Sequence, residues 1–434
     1  MKVILIDIDT LRADHLSCYG YRYPTSPHID RLAEQGTLFE FFFAPNIPTQ
    51  PAHTTIYSGQ HAVTHGIAAH SSDIMHLPAG TPWLTSLLKR AGVLTAAVDN
   101  LDDQKPWFSP GYAEYYNPLP YALGMHSAKQ VNDVALPWLQ RHAHEDFFLF
   151  LHPWDPHTPY EPPEPYRERF YEGNRNDPAP AHPVSDWAAQ PAYPFFEERM
   201  VTKLQPINDL DYIRALYDAE IASADEHIGV LMDALDELGI ADETLVLLTS
   251  DHGEIMMDHI GYFDHAGLYE GNIRIPLIVR GPGVQAGRRL SGMAQHIDLA
   301  PTVLECFGQP VPAAMEGRGL WDALQGSDWA GYETIYLTEA TWEAKWGIRT
   351  EEWKLIKTVS SGVHGVEGDE LYHLTEDPDE NRNLIESAPE VADQLDLQLV
   401  RWRDDMLGKR PDPVRLQAVQ GCPAEHWQRA LKKR

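Results

Sequence analysis

Five short apolar runs constrain what this chain can fold into: Val3–Ile8, Val93–Val98, Phe147–Leu151, Thr244–Leu248 and Ile275–Val279. They lack the in-out alternation of a strand with one wet face, so they read as strands buried on both faces. Helical stretches fall between them. Pro27 leads a helix stopped by Gly36 and followed by a strand through Phe39, Leu84–Ala91 precedes the stop signal Gly92, and Asp211–Leu238 is a long amphipathic helix ended by Gly239. This alternation predicts an α/β architecture, a mainly parallel sheet flanked by helices. Two Pro-rich and aromatic insertions, about 101–125 and 158–205, interrupt it and are placed to shape a pocket. After Gly331 the texture changes. ETIYLTEATW, KWGIRTEEWKLIKTV and DELYHLTEDP read as short strands, followed by a helix over Pro389–Leu407 and a basic, solvated tail RALKKR. The expected division is a catalytic α/β domain over 1–330 and a smaller antiparallel C-terminal subdomain over 331–434.

Composition narrows the function. At 434 residues and 43% hydrophobic, the chain has apolar mass for a large core. A formal net charge of -30 argues against binding nucleic acid backbones, because that affinity is supplied by Lys and Arg. A small anionic substrate would need local positive charge, most simply a metal ion. Cys18, Cys306 and Cys422 are too scattered for a disulfide framework. MKVILIDID meets acids at once and does not read as a signal peptide, and no apolar stretch is long enough for a membrane span. A protein working in the cytoplasm, away from membranes, is expected.

The chemistry collects at strand ends. Asp9 follows the first run, Asp155 and His157 follow Phe147–Leu151, Asp251 and His252 follow Thr244–Leu248, and His265 comes a little later. In open α/β sheets ligands bind at the carboxyl ends of strands. An Asp there is equally a helix cap, and a single His among 21 is more often structural. Together they favour a metal site with oxygen and nitrogen donors. The stretch Asn46–Gly59, NIPTQPAHTTIYSG, presents Thr49 between Pro48 and Pro51 at the start of a helix-like segment. On its own Thr49 is an N-cap; beside a metal site it is a hydroxyl where an anion is favoured.

With these residues in place, the chain resembles the alkaline phosphatase superfamily, in its sulfatase and phosphonate monoester hydrolase branch. The resemblance runs through VILIDIDTLRADHLSCYG, TSPHIDRLAEQGTLFE, PTQPAHTTIYSG, HPWDPHTPY, LVLLTSDHGE, LYEGNIRIPLIVRGPGV, HIDLAPTVLECFG and ELYHLTEDPDENRNL, in the family's order over nearly the whole chain. It implies that Thr49 stands at the nucleophile position, in the frame Thr49-Gln50-Pro51-Ala52-His53, with His53, where the motif carries arginine, binding a non-bridging oxygen of the substrate. Type I sulfatases mature a Cys or Ser there to formylglycine, and threonine is no substrate for that step. Relatives with an unmodified threonine act on phosphoryl groups, so the resemblance points to phosphodiesters or phosphonate monoesters. The alternatives are a sulfuric ester hydrolase lacking formylglycine and a non-catalytic metal-binding homologue.

The resemblance further implies one divalent metal on Asp9, Thr49, Asp251 and His252. Thr10 stands where sulfatases commonly have a second Asp, and His252 where they have Asn. Imidazole in place of amide favours Mn or Zn over Ca, with Mg also in range. His157 and His265 would contact the substrate or leaving group, and Asn100 falls where sulfatases carry lysine. Asp155, with His157 and His265, is a loose match to a second metal site. A small anionic ester is the implied substrate, and a homo-oligomer the implied assembly.

Overall fold

The computed structural model describes residues 1–119, 125–259 and 261–431. Its centre is the strand Lys2–Asp7, all six residues of which are buried. It runs parallel to Phe147–Leu151 on one side and to Thr244–Thr249 on the other. The sheet continues through Leu94–Val98 and Glu114–Tyr116 at one edge, both parallel. At the other edge Arg274–Arg280 is antiparallel to Thr244–Thr249 and to Thr37–Phe43. The result is a large mixed sheet, mainly parallel in its middle and flanked by helices.

The unalternating apolar runs are explained by cores on both faces of this sheet. Ile4, Ile6 and Ile8 point into one, against the long helix Leu210–Glu237 and Ala128–His142. Val3 and Leu5 point into the other, where the helices Thr49–Ser58 and Leu299–Cys306 pack. At about 25 cal/mol per Å² of apolar surface removed from water, every such side chain stabilises the sheet by roughly 1.5–3 kcal/mol.

A second sheet has the order Glu370–His373, Trp353–Ser360, Ala344–Thr350, Thr334–Glu339 and Asn46–Ile47. The first four strands are antiparallel neighbours. Asn46–Ile47 adds in parallel beside Thr338 and Glu339, so the residues just before Thr49 are held by the C-terminal sheet.

Three expectations change. The insertion at 101–125 is not all loop, since Glu114–Tyr116 pairs with Leu94–Val98. Its aromatic residues serve the core: Phe108 and Tyr112 are buried, and the Tyr112 hydroxyl lies 2.6 Å from that of Tyr57. Residues 120–124 of that insertion lie outside the described part. The basic end is not wholly a solvated tail, because Arg429 to Leu431 close the helix Pro423–Leu431, whose Trp427 packs against Trp342 at 6.0 Å; residues 432–434 lie outside the described part. No described helix is long and apolar enough to cross a membrane.

Candidate active site

The loops at the carboxyl ends of Lys2–Asp7 and Thr244–Thr249 bring Asp9, Asp251 and His252 together, with donor atoms all within 4.8 Å of one another. All three are fully buried. Asp9 caps no helix: the next helical turn, Ala13–His15, starts from Arg12 without a side-chain cap. Thr10, a β-branched residue, sits at φ 59°, a left-handed conformation rare for its type, while its backbone N–H donates to Asp251 Oδ1 at 3.2 Å.

Charge is poorly compensated here. Both carboxylate oxygens of Asp9 and Oδ2 of Asp251 are buried without a hydrogen bond among the described residues. His252 donates Nδ1–H to the Gly253 carbonyl at 2.8 Å, which leaves the lone pair on Nε2. That lone pair faces Asp251 Oδ2 at 3.4 Å and Thr49 Oγ1 at 3.3 Å. Buried carboxylate oxygens without a hydrogen bond, beside an imidazole nitrogen and a hydroxyl, fit a divalent metal with mixed oxygen and nitrogen ligands.

Thr49 is the first residue of the ten-residue helix Thr49–Ser58, and Pro48 takes the cap position without a side-chain bond. Its hydroxyl is therefore not spent on capping and lies at the positive end of the helix dipole. His53, one turn on, donates Nδ1–H to the Thr49 carbonyl at 2.8 Å and holds Nε2 3.2 Å from Asp7 Oδ2. Burial alone would depress this imidazole, but Asp7 outweighs it and raises the pKa. Both ring nitrogens are directed into the protein, so His53 supports the turn that presents Thr49.

Residues the sequence reading missed complete the floor. His152 Nε2 lies 3.4 Å from Asp9 Oδ2, and its Nδ1 is 2.9 Å from Asp99 Oδ1. Burial opposes charging His152, yet Asp9 and Asp99 prevail and raise its pKa well above the usual value. The only sequence signal was position, since Asp99 and His152 also follow strand ends.

A cavity of about 220 Å³ opens onto Thr49, His70, His157 and His265. The rings of His157 and His265 are 4.8 Å apart, and those of His265 and His252 4.9 Å. Burial lowers the pKa of both His157 and His265, and for His265 the neighbouring histidines add to it, which favours their neutral forms. His157 donates Nδ1–H to the Thr158 carbonyl at 2.7 Å. The other two expected substrate residues lie behind the wall. Asn100 Oδ1 accepts from the indole of Trp154 at 3.0 Å, and Asp155 Oδ2 accepts from the Ala128 N–H at 2.7 Å. Both insertions shape the pocket, the first through Gln104 and Met125 and the second through Thr158, Phe195, Phe196 and Arg199.

A profile described as Sulfatase matches residues 2–309. The chain belongs to the sulfatase family. A second profile, N-sulphoglucosamine sulphohydrolase C-terminal, matches residues 258–405. Members are hydrolases of ester bonds and metal-dependent. The chain is 25% identical to an N-acetylglucosamine-6-O-sulfatase of Bacteroides thetaiotaomicron over 502 residues, 96% of this chain and 88% of the relative. It is 24% identical to arylsulfatase K of Homo sapiens over 79% of this chain and 62% of that protein. Among solved structures, phosphonate monoester hydrolase of Agrobacterium radiobacter superposes with a TM-score of 0.74 at 22% identity, covering 94% of this chain and 96% of that one. A 2-O GAG sulfatase does so with a TM-score of 0.74 at 19% identity, over 93% and 92%. The mixed sheet with its smaller antiparallel partner is the fold of this family.

Proposed function

We propose that this chain hydrolyses phosphodiesters or phosphonate monoesters, with Thr49 as covalent nucleophile and one divalent metal on Asp9, Asp251, His252 and Thr49. The observation that carries it is the Thr49 hydroxyl, 3.3 Å from the lone-pair nitrogen of His252, uncapped at a helix start and open to the cavity. A bound divalent cation supplies Lewis acidity there, polarising the ester and lowering the pKa of the threonine hydroxyl. The mixed donor set favours Mn or Zn.

Thr49 Oγ1 attacks phosphorus in line, forming the Thr–O–P bond as the bond to the leaving oxygen breaks. The ester's negative charge favours protonation of the neutral His157–His265 pair on entry, and one of them gives its proton to the leaving oxygen. A water then attacks phosphorus as the Thr–O–P bond breaks, the same imidazole takes the water's proton, and the Thr49 oxygen takes back from solvent the proton it gave up to solvent on attack. His53 and Asp7 keep the threonine aimed throughout, and His152 with Asp99 orients Asp9.

The measurement is a side-by-side comparison of kcat/KM on an aryl phosphodiester, an aryl phosphonate monoester, an aryl phosphate monoester and an aryl sulfate, with Mn or Zn supplied. The diester or phosphonate should lead the sulfate by at least tenfold. Sulfate in the lead would establish the second reading, a sulfuric ester hydrolase working without formylglycine. That reading is favoured by one observation, the relative covering 96% of this chain that is named a sulfatase.

A further inference from the structure

The cavity above Thr49 has a wall the hydrolytic chemistry does not use. Phe195, Phe196, Trp342 and Trp427 line it as an aromatic face that meets the histidines where Trp342 lies 6.4 Å from the His265 ring. The rings brace one another: Phe195 lies 5.2 Å from Trp342, Phe196 stacks on Trp342 at 6.2 Å, and Phe195 meets Trp427 at 6.4 Å. They come from three separate segments, so the wall is held by tertiary packing rather than by one loop. A face of this kind suits the apolar side of a ring.

Arg199 stands on that wall, in the π-helical turn Glu197–Val201, a distortion that recurs at functional sites. It is exposed, and among the described residues no carboxylate lies within ion-pair distance of it. No Asp or Glu lines the cavity among the described residues. Arg199 lines the same cavity as His157 and His265. A planar fork of donors left unpaired beside an acid-free cavity is built to meet an anion.

We propose that the leaving group of the natural ester is a ring with an apolar face that carries a second anionic group, bound by Arg199 while the ring lies on the aromatic wall. The inference rests on the reading of Thr49 and its cavity as an ester-hydrolysing site, and it names the class of ester.

The test uses two esters of the fastest class that differ only by a carboxylate on the leaving ring. The ratio of their kcat/KM values is compared between the wild type, Arg199→Met and Arg199→Lys, so the intrinsic reactivity of each ester cancels. The ratio should fall at least tenfold in Arg199→Met and recover in part in Arg199→Lys. An unchanged ratio, or equal losses on both esters, overturns the proposal; the second result would place Arg199 on the reacting group. Binding is followed in parallel by quenching of the cavity tryptophans with 4-hydroxybenzoate and with phenol. The wild type should prefer the carboxylate at least tenfold and Arg199→Met should not; equal affinities in the wild type contradict the assignment. That binding needs no turnover. If no ester is hydrolysed, the nucleophile reading fails and the fate of Arg199 is still decided.

Discussion

Two buried ionic clusters of this molecule are built from similar residues and behave oppositely. Between the sheets, Glu270 meets Arg349 at 3.2 Å and Lys354 at 3.0 Å, and Lys354 reaches Glu380 at 2.5 Å. Each carboxylate there has a permanent cation. At the strand ends of the large sheet, Asp7, Asp9 and Asp251 have only imidazoles, His53, His152 and His252, among the described residues within ion-pair distance. Several of their oxygens accept nothing. Burying charge is costly in both places; Arg349 and Lys354 hold Glu270 ionised in the first cluster, whereas in the second both oxygens of Asp9 and Oδ2 of Asp251 accept no hydrogen bond among the described residues. The second is left to a ligand, which is how a buried charge comes to mark function rather than stability.

The largest effect that could break this contrast is expected from Asp251→Asn. It should abolish stoichiometric metal binding and lower turnover by at least about a thousandfold, as loss of a ligand at a catalytic metal does. Full metal content in that variant would put the strand-end cluster in the same class as the paired one.

The complementary change is smaller and opposite in kind. Glu270→Gln should leave metal content unchanged and cost about 3–5 kcal/mol of stability, since it strands Arg349 and leaves Lys354 with Glu380 alone. Burial alone would raise the pKa of Glu270, but Arg349 and Lys354 outweigh it and hold it below the usual glutamate value of 4.5. A depressed folded pKa means the contribution is present above that value and lost as pH falls below it. Denaturation at a series of pH values should therefore show the gap between wild type and Glu270→Gln narrowing below about pH 4.5. A gap independent of pH would remove the ion pair from the explanation.

How much was legible in the sequence follows the range of each interaction. Phe147–Leu151 was readable to the residue because a strand buried on both faces must be apolar throughout. The direction of Arg274–Arg280 was not, since an apolar run carries no sign of whether its neighbour is parallel. Asn46–Ile47 is two residues long, too short for any periodicity, yet it links the Thr49 segment to the C-terminal sheet. Asp9, Asp251, His252 and Thr49 stood out as donors at strand and helix ends, where the backbone alone concentrates them. His53 was expected to touch substrate and instead holds the threonine turn, because its partner Asp7 is distant in sequence and adjacent in space. Arg199 and Trp427 were hidden for the same reason, one in a Pro-rich excursion and the other just before the basic end, both far in sequence from the residues they meet.

The central claim is that Thr49 performs the attack while the buried acids and His252 hold the metal. The most direct measurement is turnover of an activated aryl ester by Thr49→Ala, with metal content determined on the same sample. Loss of at least about a thousandfold in turnover with the metal still bound is the predicted result, and a variant that hydrolyses the ester at the wild-type rate would contradict it.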